Sequence, residues 1–507
     1  MHEPPQDVMP WAATKCSRHG TFQRFLARRE SVILSEVRRV SAERSRSISF
    51  RPDRQPLSRT TSQAFALAFL SVIPSGNLLL PLPLPLFVSS DEQGALAPQS
   101  GSIKKRALAP GRCSRRPRIP WYPRTIASVL KSATLVNLGI FERMVHPRQP
   151  DLPDITNFLL LQYPLALGTA IHATPLIAAI HAAIPGARVA AAASGFALEI
   201  LRNNPGLERL ISTPSPLREL MPAANAIRRA NVFGRERYAV LLTTGNERSR
   251  VILSSLLAGA PTRVGFTLLP ELAAAHLHFD PRLSQIANNL RILEALGHGP
   301  ALLNQLQTNP SLIEPQVFPS PDDIATAHQL LREQGIDESK PIAIFITQTS
   351  PTQRKSWRED RFRAVAETLR RTQAMQIVFA GTASESPAIE ALRAGLSFHT
   401  ASVAGQTSLL ELSAILGLAD IALTLDTGPM HLARAMRLPM VIIAPAWSPA
   451  IEWLPLNNPR ARILKNLDLP TAPNDYVIDE VTVLEVEQNL NELLQLYPPR
   501  TFTHRTA

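Results

Sequence analysis

Cysteine is almost missing from this chain of 507 residues: Cys16 and Cys113 are the only two, and both lie in the first 150 positions. The rest therefore cannot form disulfides or thiolate metal sites, which is compatible with a reducing compartment. No secretory leader is expected either, because "MHEPPQDVMP" has neither a basic start nor an apolar run. Long apolar stretches are scarce. One, Ala64–Phe87, approaches spanning length, but Pro74, Pro81, Pro83 and Pro85 interrupt it. Each proline removes a helix hydrogen bond and introduces a clash, so a membrane-spanning helix is not expected there. No repeat of fixed period is evident.

A net charge of +12 ordinarily points to nucleic acid or an anionic membrane surface. Its distribution undercuts that reading. Residues 1–150 hold 23 Lys and Arg against 9 Asp and Glu, whereas the remainder holds 30 against 32. The basic balance thus belongs to an N-terminal segment, residues 1–145, made of Arg/Ser/Pro clusters without helical or strand periodicity. Such a segment buries too little surface to offset its ordering entropy and is expected to be disordered. Two readings stay open: a basic extension that touches lipid or nucleic acid, or residues upstream of a true start at Met144. Pattern and balanced charge both begin right after that methionine, which favours the second.

From Asn157 the character changes. "NFLLLQYP" reads as a short buried strand and "TAIHATPLIAAIHAAI" as one helix. "RVAAAAS", "RLISTP", "YAVLLTT" and "TRVGFT" read as further strands, with helices "FALEILRNN", "ERSRVILSSLLAG" and "LSQIANNLRILEALG" between and after them. Short apolar strands alternating with helices predict a parallel sheet covered on both faces, here over 155–300. Residues 298–340 carry Pro300, Pro310, Pro315, Pro319 and Pro321 and are expected to be an irregular linker. A second alternating series fills 341–490, from the strand "PIAIFIT" to the strand "PMVIIAP". The expected fold class is α/β, two Rossmann-like doubly wound domains facing a cleft, a common ligand site that does not by itself name the ligand.

In the second series the strand "DIALTL" runs directly into "DTGPMHLARAM". Pro429 suits the first turn of a helix, and Gly428 lets the backbone approach a ligand closely. Unpaired amides and the positive dipole end there make a phosphate pocket. Asp426 can accept ligand hydroxyls, Thr427 stands at the corner, and His431 lies in the first helical turn. The competing reading is an ordinary helix cap beside a core histidine. A second loop, "TQTSPTQRKSWREDRF", follows the first strand of the same domain. There Thr349 and Ser350 can donate hydroxyl hydrogen bonds and Lys355 can offer a point charge to phosphate, while Trp357 is expected to pack the loop. The competing reading is a solvated basic loop. A third strand end, "FAGTASES", presents Glu385, which can hold ribose hydroxyls or simply favour a helix start.

Taken in order, these motifs resemble glycosyltransferase family 9, the ADP-heptose:lipopolysaccharide heptosyltransferases, over about residues 157–490. "LDTGPMHLARAM" is the most specific element, with "VAGQTSLLELSAILGLADIALT", "PTQRKSWREDRF" and "YPLALGTAIHATPLIAAI" in support. The resemblance implies a GT-B fold and inverting transfer from a nucleotide-sugar without metal or other cofactor. It implies that Asp426, Thr427, Gly428, His431 and Lys355 grip the donor, ADP-heptose being the usual one. A lipid-linked or cell-envelope saccharide acceptor would then meet the N-terminal domain, in a cytoplasmic protein in peripheral contact with the membrane. In one position the chain departs from the family: Gly168 is followed by Thr169, where the family has an aspartate taken to be the general base. A threonine cannot serve as a carboxylate does. His172, expected on the same helix face as Thr169, is a candidate base at an ordinary pKa of about 6.5, or else a polar residue touching the acceptor. The departure also suggests a competing class, a nucleotide-sugar-binding protein that has lost catalysis. Nucleic-acid binding through the basic N-terminus is a third reading, and would be strongly salt-dependent.

Overall fold

In a computed structural model of the protein, residues 152–349, 355–466 and 476–500 are described; all of them lie within one compact unit, Arg116–Ala507. The N-terminal segment, with Met144 and the apolar run at 64–87, lies outside the described residues.

The first half runs β1 (Asn157–Gln162), α1 (Leu167–His172), α2 (Thr174–Ala183), β2 (Arg188–Ala193), α3 (Phe196–Ile200), β3 (Arg209–Ser212), α4 (Leu220–Ala230) and β4 (Ala239–Leu242). It continues with α5 (Ser249–Leu257), β5 (Thr262–Phe266), β6 (Ala275–Leu277), α6 (Gln285–Ala295) and α7 (Gly299–Thr308). The second half comprises α8 (Pro321–Glu333), β7 (Ile342–Ile346), α9 (Glu359–Gln373), β8 (Gln376–Phe379), α10 (Ser386–Ala394), β9 (Ala401–Ser402) and α11 (Leu409–Leu418). After these come β10 (Ile421–Leu425), α12 (Gly428–Ala435), β11 (Met440–Ile443), α13 (Ala450–Trp453), β12 (Ala461–Leu464) and α14 (Val483–Leu496).

Each half holds a six-stranded, wholly parallel sheet, ordered β3-β2-β1-β4-β5-β6 in the first and β12-β11-β10-β7-β8-β9 in the second. The two orders are equivalent. In each, the first strand lies between the second and the fourth of its own series, so the direction of winding reverses beside it. In the first half that reversal is between β1 and β4, where Leu159 pairs with Val240; in the second it is between β7 and β10, where Leu423 pairs with Phe345. Such a point opens a crevice at the strands' carboxyl ends.

The strands are apolar because both faces are covered. Along β7, Ile342, Ile344 and Ile346 face α8, α11 and α12, while Ala343 and Phe345 face α9 and α14. Along β1, Phe158 and Leu160 join one layer and Leu159 and Leu161 the other. Ser320, Ser408 and Thr482 cap α8, α11 and α14, each with an acidic residue three positions on that returns the bond. The two halves also share a core, since Ile171 and Ile200 pack with the apolar residues of the second half.

Two local expectations change. The single helix expected at the start of the first half is broken into α1 and α2. Pro175 has no N–H to offer the carbonyl of Ile171; the Thr174 hydroxyl donates to it instead, at 2.8 Å. Residues 298–340 are not irregular, because α7 and α8 occupy most of them. Pro300 and Pro321 stand in first turns, where a missing N–H does no harm. Helix α7 packs on α2 and α6, and α8 packs on α11, so the passage between halves narrows to 314–320. Elements α4, β6, β9, β12 and α14 were not anticipated, and α14 extends past the expected limit of 490.

Glu314, in that passage, accepts two hydrogen bonds from the buried guanidinium of Arg434 on α12, at 2.8 and 3.2 Å. Removing one partner of a buried pair leaves the other charge uncompensated. Arg434→Ala is therefore expected to lower stability by about 3 kcal/mol in urea unfolding, and pairing Arg434→Met with Glu314→Gln to cost clearly less. Equal losses in the two variants would contradict this.

Candidate functional site

Two of the three loops singled out in the sequence fall at the reversal point of the second sheet. Strand β7 leads into Thr347–Thr349 and on to Lys355, and β10 leads into Asp426–Gly428. Lys355 and Asp426 form a buried ion pair. The ammonium donates to the Asp426 carboxylate at 2.8 Å and to its backbone carbonyl at 3.3 Å, with the side chains only 12% and 4% exposed. An ammonium has three N–H groups, and among the described residues two of them go to Asp426. The Trp447 ring lies 5.5 Å from the same nitrogen and shields it from water. A lysine so held is fixed in direction and keeps a proton to offer an anion.

Helix α12 begins beside this pair. Pro429 has no N–H, so the amides of Gly428 and Met430 are the donors its first turn can present. The Thr427 hydroxyl, at the cap, is buried and meets no hydrogen-bond partner among the described residues. A buried hydroxyl without a partner is costly, and one beside a helix amino end and a fixed lysine suits a phosphate oxygen.

The other wall comes from the first half. The amino ends of α1 and α12 cross in direct contact. A Cβ on Gly168 would stand 2.6 Å from the His431 ring, and one on Gly428 would stand 3.1 Å from Leu167. His431 Nδ1 lies 3.0 Å from His172 Nε2, with the two rings edge to face and Trp453 close to both. Both histidines are buried. Burial pushes His431 down to about 4, aided by Arg434 and Lys355 and opposed by Asp426. The pKa of His172 falls well below the imidazole value, first by burial and then by the charges of His431 and Arg434. An ordinary pKa at His172 is therefore not what the structure gives: the pair is neutral at neutral pH.

Thr169 and His172 do not share a partner. Thr169 packs its methyl against Gly245, whereas His172 faces His431 and Trp453. Glu385 folds back to accept the Thr382 amide at 2.8 Å, at the end of β8, one strand beyond the reversal point. Thr349 is half-buried beyond β7, and Ser350 lies outside the described residues. Trp357 packs the loop, as expected, donating to the Val481 carbonyl at 3.0 Å and meeting Phe362 edge-on.

Sequence reasoning missed a polar network at the reversal point of the first sheet. Gln162 donates to Thr243 at 2.7 Å, and Asn246 receives the Tyr163 amide at 2.7 Å. Asn289 receives the Thr244 amide at 2.9 Å and donates to the His172 carbonyl at 3.1 Å. The signal was available. "TTGNE" follows a buried strand with hydroxyls, a glycine and an amide, the same grammar as "LDTGP". Also missed were Glu199, which accepts the first amide of α11, and Gln285, which donates to Glu452 at 2.8 Å; both link the halves. Among the described residues, no helix is long and apolar enough to cross a membrane, and no group of three His, Cys, Asp or Glu is placed to hold a metal ion.

The model of glycosyltransferase family 9 (heptosyltransferase) matches residues 307–474; that stretch is a family 9 glycosyltransferase domain. It holds every donor-side residue named above and stops short of Thr169 and His172. No curated protein matches the chain. Among solved structures, a family 9 glycosyl transferase from Veillonella parvula DSM 2008 shares 16% identity at a TM-score of 0.58, over 68% of this chain and 98% of its own. The E. coli ADP-heptose lipopolysaccharide heptosyltransferase II shares 19% identity at a TM-score of 0.55, over 67% and 98%. At such identities the likeness establishes the fold: this is a GT-B arrangement of two Rossmann-like halves.

The depressed imidazole values have a thermodynamic consequence. Between about pH 6.5 and 4 the unfolded chain binds protons that the folded chain refuses, so stability is expected to fall as pH is lowered through that window. His431→Gln should flatten the slope of the urea midpoint over that range; an unchanged slope would show that the histidine is not the group responsible.

Proposed function

We propose that this chain, a family 9 glycosyltransferase through residues 307–474, moves a heptose-type sugar from a nucleoside diphosphate donor to a lipid-linked saccharide of the cell envelope, with inversion. The observation that carries this reading is the Lys355–Asp426 pair beside the amino end of α12, at the crevice of the second sheet. A diphosphate seated there would meet Lys355, the Thr427 hydroxyl and the amides of Gly428 and Met430. As the bond from the sugar to the diphosphate lengthens, negative charge grows on the leaving oxygen. Donors already fixed toward that oxygen stabilise it without reorganising. Glu385, beyond the neighbouring strand β8, would offer its other carboxylate oxygen to donor hydroxyls. The choice of ADP-heptose rests on the match to the heptosyltransferase family and on the likeness in fold to the E. coli ADP-heptose lipopolysaccharide heptosyltransferase II.

The acceptor side supports an amphiphile. Leu165, Phe196, Leu268 and Phe279 are all exposed, and they follow β1, β2, β5 and β6 respectively. They therefore border the carboxyl edge of the first sheet, where the acceptor would enter. Exposed apolar residues gathered at one rim mark a binding surface more often than scattered ones do. Seated against the cytoplasmic leaflet, such a rim would receive a lipid-anchored saccharide whose sugar reaches the crevice. Closure around both substrates would keep water from the donor.

With ADP-heptose and lipopolysaccharide from heptose-deficient cells, Lys355→Ala is expected to lower kcat/KM for the donor about 100-fold, and the product anomer read by NMR should be inverted. An unchanged rate, or a retained anomer, would remove the reading. A Phe196→Ser/Leu268→Ser double variant should raise KM for the lipid-linked acceptor while leaving a short soluble saccharide unaffected. Equal KM shifts on the two acceptors would speak against the apolar rim.

A further inference from the structure

An acceptor hydroxyl that attacks the anomeric carbon must lose its proton, and the obvious groups on the acceptor side are poor takers. Thr169 is not a base. His172 is wedged between His431 and Trp453 with its pKa well depressed. The strands that border the first half's crevice, β1 and β4, run into "YPLALGT" and "TTGNER". The only carboxylate in either stretch is Glu247.

Its placement is built. Gly245 adopts a positive φ of 79°, which turns its amide toward the Glu247 carboxylate at 2.7 Å. Gly245 itself is pressed against Thr169, and a Cβ there would stand 2.3 Å from the threonine methyl. The carboxylate is thus held by the glycine that packs on Thr169, in the turn that follows β4. The turn around it is stiff. Asn246 is bound to the Tyr163 amide and to Thr243, Arg248 donates to the Gly245 carbonyl at 3.0 Å, and the Glu247 carbonyl receives the Leu268 amide at 2.7 Å. Four other acids of this half are engaged elsewhere. Glu199 holds the first amide of α11, Glu208 and Glu236 pair with Arg188, and Asp280 pairs with Arg282.

We infer that Glu247 is the general base of the transfer, an assignment that rests on the glycosyltransferase reading above. The acceptor oxygen forms its bond to the anomeric carbon while the bond from that carbon to the diphosphate oxygen breaks. The electron pair of that bond leaves with the nucleoside diphosphate, and the acceptor's proton passes to the free oxygen of Glu247 and then to water. The oxygen bound by Gly245 stays where it is, so the carboxylate is aimed by the backbone.

Glu247→Gln separates basicity from structure, because the amide oxygen can still accept the Gly245 N–H. In the full-length chain, with ADP-heptose and lipopolysaccharide from heptose-deficient cells, the variant should bind donor within about two-fold of wild type by calorimetry. Its kcat should fall on the order of 100- to 1,000-fold, and its pH–rate profile should differ from that of wild type. Adding Thr169→Asp to the Glu247→Gln chain should restore at least part of the rate, roughly ten-fold, because it returns a carboxylate to the neighbouring position. Wild-type transfer matched in rate and pH profile by Glu247→Gln would overturn the assignment alone. Loss of donor binding together with rate, without rescue, would make Glu247 a structural residue and overturn it as well. Failure of wild type to bind or use the donor would instead bring down the glycosyltransferase reading, and the base with it.

Discussion

The site depends on one close approach, the crossing of the amino ends of α1 and α12. Glycine stands at the crossing on both helices, and a side chain at Gly168 would occupy the space of the His431 ring. Only because the backbones come this near can two imidazoles from opposite halves share a hydrogen bond in a place closed to water. Burial then fixes their charge state. Two protonated rings beside Arg434 and Lys355 would gather four cations in a small volume of low dielectric, where repulsion is strongest. Neutral imidazoles leave the local charge to the lysine and the arginine.

Each of those two cations is supplied with a carboxylate. Lys355 is held by Asp426, Arg434 by Glu314. The pairing keeps the cations oriented while the crevice stays close to electrically balanced. On the proposed reading the pairing would also temper affinity, since a diphosphate seated there would share Lys355 with an acid already in contact. Such a site would release its nucleotide more readily than one with a bare lysine, because Asp426 would reclaim the ammonium. The Thr427 hydroxyl, without a partner among the described residues, would act in the other direction, favouring an anion that completes its hydrogen bond.

Much of this was legible in the chain itself. Strands β1, β7 and β10 announced themselves as short apolar runs, and "LDTGP" marked a strand end whose chemistry exceeds that of a turn. Local order of residue types determines such features, so local reading finds them. The partners across the crevice were not legible. His172 and His431 are 259 positions apart, and nothing near either one announces the other. The pKa expected of His172 failed for the same reason, because burial is a property of the assembled halves. Prolines misled in the opposite sense: Pro300 and Pro321 read as interruptions, yet each sits in the first turn of a helix. The missing aspartate at Thr169 was visible at once. Glu247 was not, because it is tied to the neighbourhood of Thr169 only through the turn at Gly245 and not through sequence proximity.

The passage at 314–320 is, among the described residues, the single place where the backbone goes from one half to the other. Helix α14 at the far end stays with the second sheet, packed on β10, β11 and β12. Yet this strip is sewn to both sides: the Gln316 amide bonds the Thr174 hydroxyl in one half, and Glu314 and Val317 join the other. The described residues therefore form two halves joined by one strap, and the strap itself belongs to the seam. Any rocking of the lobes must bend a segment that is already fastened at both edges, so the motion is confined to a narrow arc and has little freedom to become a loose swing.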